Sequence, residues 1–449
     1  MANVNVDSII LYSILGFLVL ENAFEIYLGI RQLRVYRSTR KVPKELDGIL
    51  KVETFNKARD YGLDNEKFSL AKGVIFDIII QSLEIFFGLL PFLWLKAESL
   101  TGCLGLDSSN EIIVSCVFIV ITNCFNLLKE IPVKIYKIFI LEEKHGFNKQ
   151  TPRFFVMDQI KSFVVGQIIF IPIAAAIVWI VKRGGDFFFL YLWVFTGLVA
   201  FLLLTIYPSL IAPLFDKYRP LEEGPLRESI ESLASQLKFP LKKLYVVEGS
   251  RRSAHSNAYF YGLFGSKRIV LFDTLLLNKG KADPMELPEE DRGKGCTDSE
   301  VLAVLGHELG HWKLGHIIKN IIIMQVHLFL MFLVFGYLFK YEPFYRALGF
   351  PAGSRPVLVG LLIILSYVLA PYNAVINFGM TMLSRRFEYQ ADEFACKLGF
   401  CDELGKALIK LHIDNLGFPV YDWLYSTWSH SHPTLLQRLD RLKSNKKDK

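Results

Sequence analysis

Seven long apolar stretches are the feature that most constrains how this chain can fold. They lie near residues 9–30, 73–95, 111–131, 161–181, 187–211, 318–340 and 356–380. Each has the roughly 20 residues that a helix needs to cross a bilayer, and the backbone of such a stretch must satisfy its own hydrogen bonds in lipid. Since 52% of the 449 residues are hydrophobic, we predict an α-helical polytopic membrane protein with seven transmembrane helices.

The basic residues of the loops predict the orientation. Nine arginines and lysines lie between residues 31 and 59, whereas the loop after the second stretch has little beyond Lys96. Because positive loops stay in the cytosol, we expect a lumenal amino terminus, and a cytosolic carboxyl terminus and segment 212–317. The basic tail at 446–449 looks like a dilysine signal for the endoplasmic reticulum, and a disordered basic end explains it equally well.

The strongest chemical signal is a His-Glu-x-x-His motif at residues 307–311. On a helix, His307 and His311 lie one turn apart on one face, so both can bind one metal ion. Glu308 then projects beside the metal, where it can take a proton from water as a general base. Thr297 and Glu300 form a capping-box pattern that predicts the helix itself. This combination is typical of zinc hydrolases.

The third protein ligand is predicted to come from a later helix. Glu388 and Asp392 are four residues apart, so one carboxylate can bind the zinc while Asp392 orients a ligand histidine. His316 is a poor ligand candidate, because five residues past His311 it has rotated about 140° away on the helix. The predicted topology brings Glu388 and the motif to the same membrane face, which favours a metal site over a solvated carboxylate.

Segments outside the motif suggest how a peptide could be held. Strands are expected at 243–247, 257–260 and 268–272, and Asn257 and Ala258 are candidates for an edge that pairs with an extended peptide. A plain core strand is an equally good interpretation. Near the carboxyl end, His432 and Arg438 could contact a reacting carbonyl, although His432 also fits an ordinary cap or surface histidine.

The remaining composition excludes several classes. The six cysteines show no Cys-x-x-Cys pair, so we expect reduced thiols and neither a disulfide framework nor a sulfur-bound metal. The net charge of +7 is explained by the cytosolic loops and gives no case for nucleic acid. Ionisable residues inside the spans suggest a wet internal cavity.

We divide the chain into spans one to five (1–211), a cytosolic protease domain (212–317), spans six and seven (318–384) and a cytosolic helical part (385–449).

Six motifs together resemble the type I CAAX prenyl endopeptidases, the membrane zinc proteases that include the a-factor-converting and prelamin-A-processing enzymes. The motifs are LEEKHGFNK (141–149), HSNAYF (255–260), RIVLFDT (268–274), HELGH (307–311), RFEYQAD (386–392) and SHP (431–433). The resemblance covers nearly the full length and shows no departure at the ligand or base positions.

The resemblance implies a seven-helix barrel around a water-filled chamber, capped by a small α+β zincin-like metalloprotease domain on the cytosolic side. It also implies one zinc ion per chain and substrates that end in a prenylated cysteine and three further residues, with a second upstream cleavage in some members. The endoplasmic-reticulum membrane, the inner nuclear membrane, contact with membrane lipid and a monomeric state follow as expectations. Two rivals stay open from the residues alone: a general quality-control membrane protease, and a polytopic scaffold with a structural metal.

Overall fold

A computed structural model describes residues 5–255, 258–262 and 267–447. Asn257, predicted at the sheet edge, and the last two residues of the basic tail lie outside the described residues.

Helices dominate the chain. In order they are α1 Val6–Ser38, α2 Val52–Lys72, α3 Gln81–Phe86, α4 Leu89–Cys103, α5 Glu111–Ile135, α6 Pro152–Arg183, α7 Phe188–Ile206, α8 Ala212–Phe215, α9 Pro225–Leu237, α10 Asp298–Lys313, α11 His316–Leu338, α12 Glu342–Ala347, α13 Val357–Leu362, α14 Ala370–Lys397, α15 Cys401–Asp414, α16 Trp423–Ser429 and α17 Leu435–Lys447. Wider π-type turns at 73–80, 136–142, 207–211 and 363–368 extend four of them.

The helices match all seven predicted spans when each of two bent helix pairs is counted as one span. Five continuous helices are long and apolar enough to cross a membrane: Val6–Ser38, Glu111–Glu142, Pro152–Arg183, Gly185–Phe215 and His316–Leu338. Two bent pairs supply the others, Val52–Phe86 with Leu89–Cys103 and Val357–Val368 with Ala370–Lys397. The prediction of a polytopic α-helical membrane protein is therefore confirmed.

Both bends have a local cause. The first, of 61°, falls at Gly88, whose φ of 67° is left-handed and strains residues that carry a Cβ. The second, of 62°, precedes Pro371. Proline lacks the amide hydrogen and clashes with the preceding turn, so it ends one helix and starts the next. Each of these two spans therefore changes direction between its two halves.

A polar cavity of about 500 Å³ lies between α1, α2, α14 and α16. Its wall includes the carboxylates of Glu21, Glu25, Glu66 and Asp77. Ionisable groups of these helices thus line a cavity between helices, as expected for polar residues in membrane-spanning helices.

A four-stranded mixed sheet lies between α8 and α10 in the chain. The strands are β1 Tyr218–Pro220, β2 Leu241–Val247, β3 Ala258–Tyr261 and β4 Lys267–Phe272, in the spatial order β1-β2-β4-β3. β2 and β4 are parallel, and the outer strands are antiparallel to them. The three predicted strands are confirmed. β1 was not predicted, because three residues that include a proline give no strand pattern.

The sheet supports the motif helix. Leu305 and Leu309 of α10 are almost fully buried in one cluster with Val246 of β2 and Ile269 of β4. Burial of side chains of this size contributes roughly 1.5–3 kcal/mol each. One face of α10 is therefore fixed to the sheet, and α11 begins only two residues after α10 ends, at a left-handed Gly315 with φ 69°.

The expectation of reduced thiols is wrong for one pair of cysteines. Cys396 and Cys401 form a disulfide, with their Cα atoms 4.2 Å apart. The two residues flank the turn between α14 and α15, and Gly399 in that turn has a φ of 95°. Such a tight reversal brings the two side chains together without any long-range pattern in the sequence. The other four cysteines are free thiols.

Candidate metal centre

Three side chains from two helices converge at one point. His307 and His311 come from α10, and Glu388 comes from α14. Their candidate ligand atoms all lie within 4.8 Å of one another. The capping box predicted at Thr297 and Glu300 is present at the start of α10, so the helix begins where the sequence places it. The structure therefore brings together the three residues that spacing and topology selected as ligands.

A glycine inside the motif allows α10 and α14 to lie this close. A Cβ on Gly310 would be 3.1 Å from the Phe394 ring and 3.3 Å from the Cα of Ala391. Contacts this short are tighter than nine in ten real Cβ contacts, so a side chain at position 310 would require the Phe394 ring or the α14 backbone to give way. Because His311 and Glu388 belong to these helices, the separation of their ligand atoms depends on Gly310.

The distances between the candidate ligand atoms fit a tetrahedral metal ion. The two Nε2 atoms are 3.2 Å apart, and Glu388 lies 3.5 Å from His307 Nε2 and 3.2 Å from His311 Nε2. With bonds of about 2.0–2.1 Å, the ligands of a tetrahedral zinc are roughly 3.3 Å apart. Glu388 Oε2 is also buried without a hydrogen bond among the described residues. A divalent cation would satisfy this group of acceptors, so the residues fit a metal.

Asp392 and Arg438 support His307 from behind. Asp392 is fully buried and its Oδ1 lies 2.8 Å from His307 Nδ1, which directs Nε2 toward the other ligands. Arg438 donates to both Asp392 oxygens, at 2.6 and 2.9 Å, and lies 3.5 Å from Glu388 Oε2. Burial alone would lower the pKa of His307, but its hydrogen bond to Asp392 and the nearby carboxylate of Glu388 raise that pKa to about 9.

The second ligand histidine has its own support, which the sequence analysis did not find. His311 Nδ1 is 3.0 Å from His316 Nδ1, and His316 Nε2 is 3.0 Å from Gln390 Oε1. His316 also stacks on Phe387 at 4.0 Å. Since the amide oxygen of Gln390 only accepts, His316 Nε2 carries a hydrogen and its Nδ1 accepts from His311. The available signal was that Gln390 lies within the same motif as Glu388, on a helix already predicted to face the metal.

Glu308 is placed differently from the ligands. Its side chain makes no hydrogen bond or ion pair with another residue in the described part of the chain. Burial raises the pKa of its carboxyl group above the usual range. A half-buried carboxyl that is not committed to a partner, on the same helical turn as two ligands, is suited to accept and release a proton.

His432 reaches the same group from the carboxyl-terminal segment. Its Nε2 lies 3.4 Å from Glu388 Oε1, and its side chain is 64% exposed. Arg438, predicted to contact substrate, instead directs its donors at Asp392 and Glu388. Its predicted substrate contact stays a prediction, and the geometry assigns it a bracing contact with the two carboxylates.

The predicted peptide edge is only partly described. Ala258 is the first residue of β3, which lies at one end of the strand order and packs against α10. Asn257 lies outside the described residues. A role for either residue in substrate binding therefore stays a prediction.

Comparison with known proteins gives a consistent result. Residues 32–217 match the family described as CAAX prenyl protease N-terminal, five membrane helices, and residues 220–446 match peptidase family M48. The chain is 49% identical over 445 residues to the CAAX prenyl protease 1 homolog of Mus musculus, covering 95% of this chain and 93% of that protein. It is 37% identical over 444 residues to CAAX prenyl protease 1 of Saccharomyces cerevisiae, covering 95% and 94%.

The fold agrees with these matches. The crystal structure of S. mikatae Ste24p superimposes with a TM-score of 0.85 and 37% identity, covering 96% of this chain and 98% of that one. Together with the two family matches, which span both halves of the molecule, this shows that the chain belongs to peptidase family M48, as a membrane-spanning metallopeptidase of its CAAX prenyl protease group.

Proposed function

We propose that this protein is a zinc endopeptidase that removes the last three residues from prenylated proteins with a CAAX carboxyl terminus. The observation that carries the proposal is the set His307, His311 and Glu388, spaced as tetrahedral zinc ligands beside the uncommitted Glu308. Two imidazoles and one carboxylate are a ligand set of catalytic zinc, which keeps its fourth position open. The names of the relatives, CAAX prenyl proteases, support the substrate class.

His307, His311 and Glu388 would hold the zinc ion. When bound, zinc lowers the pKa of water from ~15.7 toward ~7 and polarises a carbonyl group. Glu308 accepts the proton of the attacking water and delivers it to the leaving amine, so no covalent bond forms between enzyme and substrate. The raised pKa of Glu308 suits this task, because the carboxyl must hold the proton between the two transfers.

Neighbouring residues position the reacting groups. Asp392 fixes the tautomer of His307, and Arg438 fixes Asp392. The exposed His432 can donate to the carbonyl oxygen as negative charge develops on it. Asn257 and Ala258 would pair with the substrate backbone at the end of the sheet.

The cellular setting belongs to the same proposal. We infer an endoplasmic-reticulum membrane protein with a lumenal amino terminus, in which segment 212–317 and the carboxyl-terminal part from 385 face the cytosol. The basic residues between 31 and 59 support this orientation by the positive-inside rule. A prenylated substrate would then meet the metal centre at the cytosolic membrane surface.

Mass spectrometry of the products from a farnesylated CAAX peptide tests the proposal. We expect release of the terminal tripeptide, loss of activity with a zinc chelator, and weak cleavage of the same peptide without its lipid. Efficient cleavage of unlipidated or misfolded proteins would instead favour the quality-control protease. Bound zinc without any peptide cleavage would favour the scaffold.

Glu308→Gln separates chemistry from metal binding. The substitution removes the base and leaves the three ligands unchanged, so zinc content should stay at one per chain while turnover is lost. Glu393→Gln is a matched control, because Glu393 is an exposed carboxylate on α14 that pairs only with Lys397 among the described ion pairs. Substantial residual activity in Glu308→Gln would contradict the assignment of the base.

A further inference from the structure

Arg385 is a buried arginine whose contacts lie outside the metal ligands. It belongs to α14, three residues before Glu388, and its residue is only 8% exposed. No carboxylate lies within ion-pair distance of it among the described residues. A buried cation without an anion is costly unless its donors are satisfied by other acceptors. The acceptors that Arg385 uses therefore indicate what it does.

These acceptors belong to one segment. Arg385 Nη1 donates to the backbone carbonyl oxygens of Ser426, His430 and His432, at 3.2, 3.3 and 3.1 Å. Its Nη2 donates to Gln437 Oε1 at 2.9 Å, and this oxygen also accepts from the Thr434 amide at 3.0 Å. The guanidinium fork thus holds the end of α16, the loop that carries His432, and the start of α17. Lysine offers no such planar fork.

The imidazole of His432 depends on this backbone for its position. Its side chain is 64% exposed, and its Nδ1 is 3.0 Å from the hydroxyl of the adjacent Ser431. Pro433 follows and restricts His432 to extended conformations. Apart from this hydroxyl and Glu388 Oε1 at 3.4 Å, the ring is positioned by the backbone of residue 432, and Arg385 is bonded to that backbone.

The other end of α16 is fixed independently. Asp422 caps the helix through the amides of Leu424 and Tyr425, and it pairs with Arg31 of α1 at 2.9 Å. Loss of Arg385 would therefore release the His432 loop without freeing the start of α16.

We propose that Arg385 is a positioning residue that holds His432 over the metal centre. Arg385 and Glu388 lie one turn apart on α14. The helix that supplies a metal ligand therefore also fixes the distance between the His432 loop and the metal centre. The proposal rests on the proposed function, in which His432 donates to the reacting carbonyl.

Arg385→Lys tests the proposal, since it keeps the charge and removes the fork. A misplacement on the order of 1 Å can reduce turnover about 10²-fold, so we expect kcat to fall about 10- to 100-fold, with KM within about threefold and zinc content unchanged. Arg386→Lys is the matched control and should keep wild-type kinetics. Arg386 is exposed, and its side chain makes no hydrogen bond or ion pair among the described residues.

A double-mutant cycle with His432→Ala separates positioning from a general structural effect. If Arg385 acts through His432, Arg385→Lys should have little further effect on kcat in the His432→Ala background. Gln437→Ala, which removes the α17 acceptor of Arg385, should show a smaller loss with the same lack of additivity. Additive losses, or wild-type kcat in Arg385→Lys, would overturn the proposal.

The same measurements distinguish its failure from that of the proposed function. A wild-type kcat in His432→Ala would refute the role of His432, whereas an inactive wild-type protein on prenylated peptide would refute the function itself. If Arg385→Lys loses zinc or unfolds while Gln437→Ala is additive with His432→Ala, Arg385 is a structural residue and the proposal is wrong.

Discussion

Replacement of Asp392 by asparagine gives the sharpest test of the support around His307. The Oδ1 atom of Asp392 accepts from His307 Nδ1 at 2.8 Å and from Arg438 Nη2 at 2.6 Å, while Oδ2 accepts from Arg438 Nε at 2.9 Å. An asparagine oxygen can replace Oδ1 and keep His307 in its tautomer. Its amide nitrogen must then face Arg438 Nε, which is itself a donor.

The substitution should lower both the stability of the protein and its affinity for the metal, by different amounts. Removal of one partner of a buried ion pair costs about 3–5 kcal/mol of stability. We expect a loss of stability at the lower end of this range, because Arg438 still has the carboxylate of Glu388 as an ion-pair partner at 3.5 Å. Loss of a group that orients a metal ligand typically costs 10- to 100-fold in metal affinity, about 1.4–2.7 kcal/mol. Asp392→Asn should reduce zinc affinity about tenfold, since it retains an acceptor for His307, and Asp392→Ala should reduce it about 100-fold.

Zinc affinity by chelator competition, together with thermal unfolding of the metal-free protein in detergent, checks both values. The control is Asp402→Asn, because Asp402 is 57% exposed and pairs with Lys446 on the surface. Such pairs contribute at most about 1 kcal/mol. If Asp392→Asn and Asp392→Ala both bind zinc as tightly as wild type, Asp392 does not orient His307 and the reasoning fails.

Two further predictions concern the ligand histidines. A proton on His307, with its pKa of about 9, competes with the metal, so apparent zinc affinity should rise up to tenfold per pH unit, about 100-fold from pH 6.5 to 8.5. In the metal-free protein the raised pKa of His307 stabilises the fold below pH ~6.5, and this contribution is lost as the pH rises through about 9. Zinc affinity that does not change between pH 6.5 and 8.5 would contradict the assignment of His307 as a metal ligand. Gln390→Leu should weaken zinc binding about tenfold, because His316 then loses the acceptor that fixes its tautomer, and unchanged affinity by the same competition assay would show that His316 does not support His311.

Features that depend on local sequence patterns could be predicted, whereas contacts between distant parts of the chain could not. The spans, the capped motif helix and the i, i+4 pairs are local patterns, so the sequence was sufficient for them. The contact of His316 with His311 depends instead on the chain turning at Gly315, which brings the first residue of α11 back toward α10. Helical geometry extended straight past residue 311 places His316 elsewhere, which is why it was considered only as a poor ligand.

Arg385 was missed for a related reason. Its hydrogen bonds go to carbonyl oxygens more than 40 residues away, and backbone acceptors leave no pattern of side chains in a sequence. The disulfide likewise depends on the shape of one turn. Interactions between side chains and distant backbone are thus the part of this site that required the structure.

The metal centre depends on α14 as one rigid element. Arg385, Glu388 and Asp392 are three and four residues apart, so they lie within about 60° on one helical face and are placed respectively to hold the His432 loop, to bind the metal and to orient His307. Their contacts span only 2.6–3.5 Å. A shift of α14 by a single residue is about 1.5 Å and would break all three at once. Because α14 is the second half of a bent pair, the bend before Pro371 turns it by 62° from the first half, so the three residues are presented in the direction of α14 and not in that of the preceding helix.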